Sequence, residues 1–493
     1  MSRRSTDVPM TQLQALNLIA GTWCPAQSGA WASSFDPSNG QALGRLAASA
    51  RADGEAAIAA ARAAFERPQW SQNPRLRQMV MLRWANRMEA RAEELARLLT
   101  QENGKVLAQS RGEIAGAISE IRYYAGLTRY MPGHVFEVEP GSFSTLLKEP
   151  AGVAGIIVPW NAPAVLLIRS LTPALAAGCT TVVKPAPQTA LITAALIETL
   201  HACEDLPPGV VNLVSETGHE VAALLAESPD VDVISFTGSN STGQRIMAAA
   251  APSMKKLSLE LGGKSACLVF DDAEVDTVAP AIAAAATIIS GQQCTAARRV
   301  LVHASRYEAM KKALALALAS MSVAPGLQPG AQIGPMIDAD AARAVGERIA
   351  QAMEAADEVV LRGTHGEGAL ANGAFLTPTL VAHRDTHAFF VQEEIFGPLL
   401  VLERFEDEAE AVQRANHTEF GLSASVWTRD GARGMRVARA LRNGTVWIND
   451  HNRLFAEAET GGYRRSGLGR LHGYDALIDF QEIKHIYQHV GTI

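Results

Sequence analysis

At 493 residues, with 48% apolar and 19% charged side chains, the chain is too long for one ordinary core and reads as a globular protein of two or three domains. A net charge of −7 argues against nucleic acid as a main partner, because phosphate binding needs a basic face. The five cysteines (Cys24, Cys179, Cys203, Cys267 and Cys294) lack paired short spacings, which excludes a disulfide framework or a structural zinc site as the expectation and points to a reducing, cytoplasmic setting.

The first residues, Met1-Ser2-Arg3-Arg4-Ser5-Thr6-Asp7, have basic side chains with no apolar run behind them and do not read as a secretory signal. Residues 53–65, 75–102 and 110–127 are predicted as amphipathic helices whose apolar stripes face a core. The longest apolar stretch, 151–168, is broken by Pro159, Asn161 and Pro163, so it reads as a buried strand (153–158), a loop and a helix start rather than a membrane span. That helix runs through residues 166–177 until Gly178 ends it. Residues 181–183 and 231–236 are further strands, the second entering a glycine turn and a helix from about Thr242, and 266–270 is the next strand. Strands alternating with helices predict an α/β protein with a parallel, doubly wound sheet. Internal repeats and flexible linkers are absent from the sequence, so the domains are expected to be interleaved. The segment 483–490 alternates like a strand yet lies far along the chain from any sheet it would complete.

Two residues carry most of the chemistry. Cys294, in Gly291-Gln292-Gln293-Cys294-Thr295, follows Glu260, in Leu259-Glu260-Leu261-Gly262-Gly263-Lys264. A thiolate can attack a carbonyl, and the resulting acyl thioester needs a carboxylate-activated water for its release. Glu260 closes an apolar strand, where a carboxylate is partly buried and poised as a base. Asn161, in Val158-Pro159-Trp160-Asn161-Ala162-Pro163, offers an amide donor for an oxyanion; alternatively it caps the helix that Pro163 begins. Gly263-Lys264-Ser265 looks like the end of an ATPase phosphate loop, but that motif needs a glycine where Ser258 stands. The twelve histidines form no H-E-x-x-H, and no catalytic metal is expected.

These motifs, in this order, resemble the aldehyde dehydrogenase superfamily from about Gly21-Thr22-Trp23 to Glu482-Ile483-Lys484, with further matches at Lys148-Glu149-Pro150, Lys184-Pro185-Ala186, Phe236-Thr237-Gly238-Ser239, Glu393-Glu394-Ile395-Phe396-Gly397-Pro398 and Ser466-Gly467-Leu468-Gly469-Arg470. The resemblance implies a Rossmann-type cofactor domain (1–130 and 150–261), an α/β catalytic domain (262–476) and a small β oligomerisation element (131–149 and 477–493), giving a homodimer or homotetramer. It implies oxidation of an aldehyde to the carboxylic acid with NAD or NADP, with Cys294 as nucleophile, Asn161 and the Cys294 backbone N–H holding the oxyanion, and Glu260 activating the deacylating water. Family branches that release the thioester to coenzyme A lack this glutamate, so hydrolysis is expected.

The resemblance also places Lys184 on the adenosine ribose, the turn Gly238, Ser239 and Gly243 over the diphosphate, Glu394 on the nicotinamide ribose and Phe396 against the nicotinamide, with Trp160 at the cofactor site and Lys148 nearby as supports. The chain departs from the pattern at Pro187, where many NAD-using relatives have glutamate; its absence leaves NADP usable, with Lys184 free to meet a 2′-phosphate. It departs again at Leu471, where the family often has a glutamate. The implied substrate pocket includes Ala162, Val165, Leu166, Arg169, Ile288, Gln293, Thr295 and the loop 450–455, with Asn452. Arg169 either binds the carboxylate of an anionic semialdehyde, lies in an aromatic-aldehyde pocket, or forms a salt bridge within the protein. The alternative outside the superfamily is a non-catalytic scaffold.

Overall fold

The computed structural model describes residues 13–492, so the reading of the first seven residues lies outside the described residues. Before the first long sheet come the helices 51–65, 74–90, 92–103 and α1 (Leu107–Leu127). The stretch predicted as one helix over 75–102 is thus two. The break falls at Arg91 (φ −108°, ψ 12°), whose backbone leaves the helical region and whose side chain bridges Glu94 and Glu198.

The site is positioned by the alternating elements that follow: β1 (Val153–Val158), α2 (Pro163–Ala177), β2 (Thr180–Pro185), β3 (Val211–Leu213), β4 (Val233–Thr237), α3 (Asn240–Ala250) and β5 (Lys256–Glu260). The five strands pair in parallel in the order β5-β4-β1-β2-β3, within an eight-stranded sheet whose edges are antiparallel. All six residues of β1 are buried, as a strand covered on both faces requires. α2 ends at Gly178 (φ +104°), where a Cβ would sit 2.9 Å from the Ser71 carbonyl oxygen, so glycine is needed for both conformation and space. α3 starts at Asn240, two residues earlier than predicted, because the Ser239 hydroxyl accepts from the Thr242 N–H and caps it.

The chain passes from β5 through Gly262–Ser265 directly into a second, seven-stranded sheet, parallel except for its strand Glu358–Leu361. The strand Gly467–Leu468 returns to pair with β5 at Leu259 and Glu260, so the two sheets are stitched together on either side of Glu260. A third, antiparallel sheet joins His134–Glu139, Ser142–Pro150 and Gln481–His489, two distant pieces of the chain. No described helix is long and apolar enough to cross a membrane.

Candidate active site

The parallel strands deliver the chemistry at their carboxyl ends. Beyond β1 the chain turns through Trp160 and Asn161 into α2, and here the structure separates the two roles open to Asn161. The helix is capped by Glu113 of α1, whose Oε1 accepts from the Ala164 and Val165 N–H groups at 2.8 and 3.2 Å. The Asn161 side-chain amide makes no hydrogen bond with the protein and lines a cavity. Its backbone, in contrast, is fixed: Lys105 Nζ donates to the Asn161 carbonyl at 2.7 Å, and Asn103 Nδ2 donates to the Trp160 carbonyl at 2.7 Å. Lys105 is fully buried and ion-paired with Glu113, and burial pulls its ammonium pKa down against that carboxylate. Sequence reasoning missed Asn103, Lys105 and Glu113; a lysine and a carboxylate eight positions apart, flanking a helix start, were the available signal.

Cys294 follows a strained turn. Ile289 (φ +48°), Ser290 (φ +56°) and Gly291 (φ +77°) are consecutive left-handed residues, a conformation that costs a β-branched side chain about 1–3 kcal/mol and survives only where neighbours over-determine it. They do so here. Ser290 Oγ donates to the Gly334 carbonyl at 2.7 Å, and Arg298 donates to the carbonyls of Gly291, Gln293 (3.1 Å) and Gly397 (2.8 Å). On the other side of the thiol, Gln293 Nε2 donates to Thr295 Oγ1 at 2.8 Å, and Thr295 Oγ1 donates to Asn452 Oδ1 at 2.7 Å. His451 Nε2 lies 2.8 Å from the Thr295 carbonyl, which can only accept, so that nitrogen carries the proton. Burial pushes His451 down to about 4, keeping the ring neutral. Gln293, Thr295 and Asn452 therefore brace the segment around Cys294 as well as line the cavity; Asn452 Nδ2 is buried with no partner.

Glu260, at the end of β5, is 4% exposed. Arg169 Nη2, from the otherwise apolar face of α2, donates to Glu260 Oε2 at 2.7 Å and to Thr237 Oγ1 at 3.1 Å, while Arg169 Nε is sealed from solvent without a partner. Of the roles open to Arg169, the structure thus shows a salt bridge within the protein, but one made to the candidate base inside the cavity. Cys294 is partly open to this cavity; its thiol pKa is raised well above the ordinary value by burial and by the Glu260 charge, with Arg169 pulling the other way. One cavity of about 660 Å³ is lined by Asn161, Arg169, Glu260, Ile288, Gln293, Cys294, Thr295 and Asn452, together with Ala162, Val165 and Leu166.

The carboxyl ends of the parallel strands beside the cavity carry groups suited to a dinucleotide. Because β2 and β4 lie on opposite sides of β1, the strand order reverses there, and crevices at such points outside the carboxyl ends are where α/β sheets take ligands. Ser239, Asn240 and Ser241 stand at the N-terminus of α3, where backbone N–H groups suit a phosphate. Gly238 and Gly243 also have packing reasons: added Cβ atoms would lie 2.5 Å from the Phe236 ring and 2.7 Å from Leu261 Cδ2. Trp160 and Phe396 meet edge to face at 5.6 Å, with the Arg298 guanidinium 5.6 Å from the Phe396 ring. Glu394 Oε1 accepts from the Gly263 N–H at 3.1 Å, and burial pushes its carboxyl up to about 7. Lys184 is not free as the sequence suggested: its ammonium lies 3.5 Å from the buried Glu216, which also accepts from the Val221 and Ala222 N–H groups. Pro187 begins a short 3-10 turn and brings no charge. Lys148 Nζ donates to the Tyr474 hydroxyl at 3.2 Å, away from the cavity. Leu471 is buried, its backbone paired with that of Thr460.

Residues 23–486 match the family model described as the aldehyde dehydrogenase family. The chain is 38% identical to the succinate-semialdehyde dehydrogenase [NADP(+)] GabD of Escherichia coli, over 95% of this chain and 96% of that one. It is 36% identical to the phenylacetaldehyde dehydrogenase of Pseudomonas fluorescens, over 93% of each. The crystal structure of a betaine aldehyde dehydrogenase from Staphylococcus aureus in complex with NAD+ superposes with a TM-score of 0.94 at 32% identity, covering 98% of this chain and 96% of that one.

Proposed function

The chain belongs to the aldehyde dehydrogenase family and is an NAD(P)-dependent oxidoreductase of aldehydes, and we propose that Cys294 is its nucleophile, Asn161 its oxyanion donor and Glu260 its hydrolytic base. The observation that carries this reading is that Cys294, Glu260 and the uncommitted amide of Asn161 line one cavity, each held by buried neighbours. Cys294 gives up its proton to solvent and the thiolate attacks the aldehyde carbon. The new oxyanion accepts from Asn161 Nδ2 and the Cys294 backbone N–H, donors whose positions are set before substrate arrives. A nicotinamide held beside Trp160, Glu394 and Phe396 would supply the hydride acceptor, and Cys294 would be left holding the acyl group as a thioester. Glu260 then takes a proton from water, hydroxide attacks the thioester, and the thiolate departs with release of the acid.

Trp160, Lys184, Pro187, Gly238, Ser239, Gly243, Glu394 and Phe396 form the cofactor crevice in this reading, and either NAD or NADP serves. The third sheet is the oligomerisation element of a homodimer or homotetramer, and the enzyme is cytoplasmic. Arg169 supports a second reading of the substrate, an aldehyde with a second, anionic group, in keeping with the name of the Escherichia coli relative; the name of the Pseudomonas fluorescens relative favours an aromatic aldehyde instead. Cys294→Ala should abolish aldehyde oxidation with cofactor binding retained, whereas Asn161→Ala should keep the thiol reactive and lower kcat by roughly 10²–10³. Steady-state rates and cofactor titration check both. Turnover by folded Cys294→Ala would refute the assignment.

A further inference from the structure

We propose that Arg169 and Glu260 form an exchangeable ion pair: an anionic group on the aldehyde takes over Arg169 and thereby releases Glu260 to activate water. The inference rests on the reading of Glu260 as hydrolytic base and deepens it.

Three observations support the exchange. First, both side chains are buried, 6% and 4% exposed, and Glu260 is the only carboxylate that pairs with Arg169 among the described residues. The other buried ionisable groups on the cavity wall are committed elsewhere, Lys105 to Glu113 and His472 to Glu120 at 3.0 Å, while at the exposed rim Arg453 pairs with Asp450 at 3.3 Å and Glu457 faces solvent. A buried guanidinium left without a counter-charge is strongly disfavoured, so Glu260 cannot leave Arg169 for a water unless another anion replaces it. Second, Glu260 Oε2, one of the two oxygens that could receive the proton from water, is engaged by the guanidinium at 2.7 Å. Third, the Arg169 side chain lines the same cavity as Cys294, so an anionic group on the substrate can meet the guanidinium there. The guanidinium fork suits a carboxylate arriving on the substrate, with two parallel N–H···O bonds.

The consequence is a division of labour by substrate. Thiohemiacetal formation and hydride loss use Cys294 and Asn161 and do not need Arg169 vacated by Glu260. Deacylation does. A neutral aldehyde therefore acylates Cys294 and stalls, while an ω-oxo acid carries the anion that unlocks the base.

The test compares ω-oxo acids of four to six carbons with alkanals of the same lengths on the wild-type enzyme. Alkanals are expected to give a stoichiometric burst of reduced cofactor followed by a steady rate at least tenfold below that of the best ω-oxo acid, which shows no burst. Acetate added to the alkanal reaction should raise the steady rate saturably, supplying the anion separately. In Arg169→Gln the alkanal burst should vanish, acetate should lose its effect, and KM for the ω-oxo acid should rise at least tenfold. Equal steady rates for the two classes, or an alkanal rate indifferent to acetate in wild-type enzyme, would overturn the exchange even if the variant fails to fold. Absence of any acyl group on Cys294 with either class would instead overturn the underlying reading of the site.

Discussion

Cys294 lies between a carboxylate that raises its pKa and a guanidinium that lowers it, and burial tips the balance toward the thiol. A raised pKa means that thiolate is scarce at neutral pH and grows only above the ordinary cysteine range, so the rate of Cys294 alkylation by iodoacetamide in cofactor-free enzyme should still be climbing at pH 9. Removing the Glu260 charge shifts the balance the other way, and Glu260→Gln should be alkylated faster than wild type at pH 7.5. A rate that plateaus below pH 8, or no acceleration in Glu260→Gln, would contradict the electrostatic assignment. At this scale the sequence singled out the groups proposed to react, because thiol, carboxylate and amide chemistry is fixed by residue type. It did not carry their partners. The hydrogen bonds of Arg169 with Glu260 and of Lys105 with Asn161 join residues 91 and 56 positions apart, and nothing local to either residue announces such a pairing.

The turn 288–291 is the element that positions Cys294. Gly291, at φ +77°, has no room for a Cβ, which would lie 2.3 Å from the Gly397 carbonyl oxygen. Both the backbone and the neighbour resist, so Gly291→Ala should destabilise by about 1–3 kcal/mol and displace Cys294. Thermal unfolding together with burst titration of active sites checks this; an unchanged Tm with a full burst would show that the turn is not under the constraint described. The β1-α2 junction was legible from its apolar run and prolines, which signal strand, loop and helix start. The split of the predicted helix at Arg91 was not, because the apolar stripe continues across the break. The strained turn was illegible too, since Ile289 and Ser290 give no local warning of a left-handed backbone.

For the whole molecule, the alternation of strands and helices, with family-like motifs at their ends, was enough to foresee a doubly wound sheet and a catalytic α/β layer, and the structure has both. The third sheet shows Val135, Phe136, Val138, Ile483, Ile486 and Tyr487 to solvent, an apolar surface that a monomer would leave uncovered and that a second subunit would bury. Sedimentation at micromolar concentration should therefore give a dimer or tetramer; a stable, active monomer would remove the oligomeric assignment. Intact-mass spectrometry of Glu260→Gln after one turnover with aldehyde and cofactor decides the role of Glu260. Cys294 should carry one acyl group that persists, because the thiol and the Asn161 amide are intact while the carboxylate is gone. Free enzyme together with an undiminished steady-state rate would contradict that role.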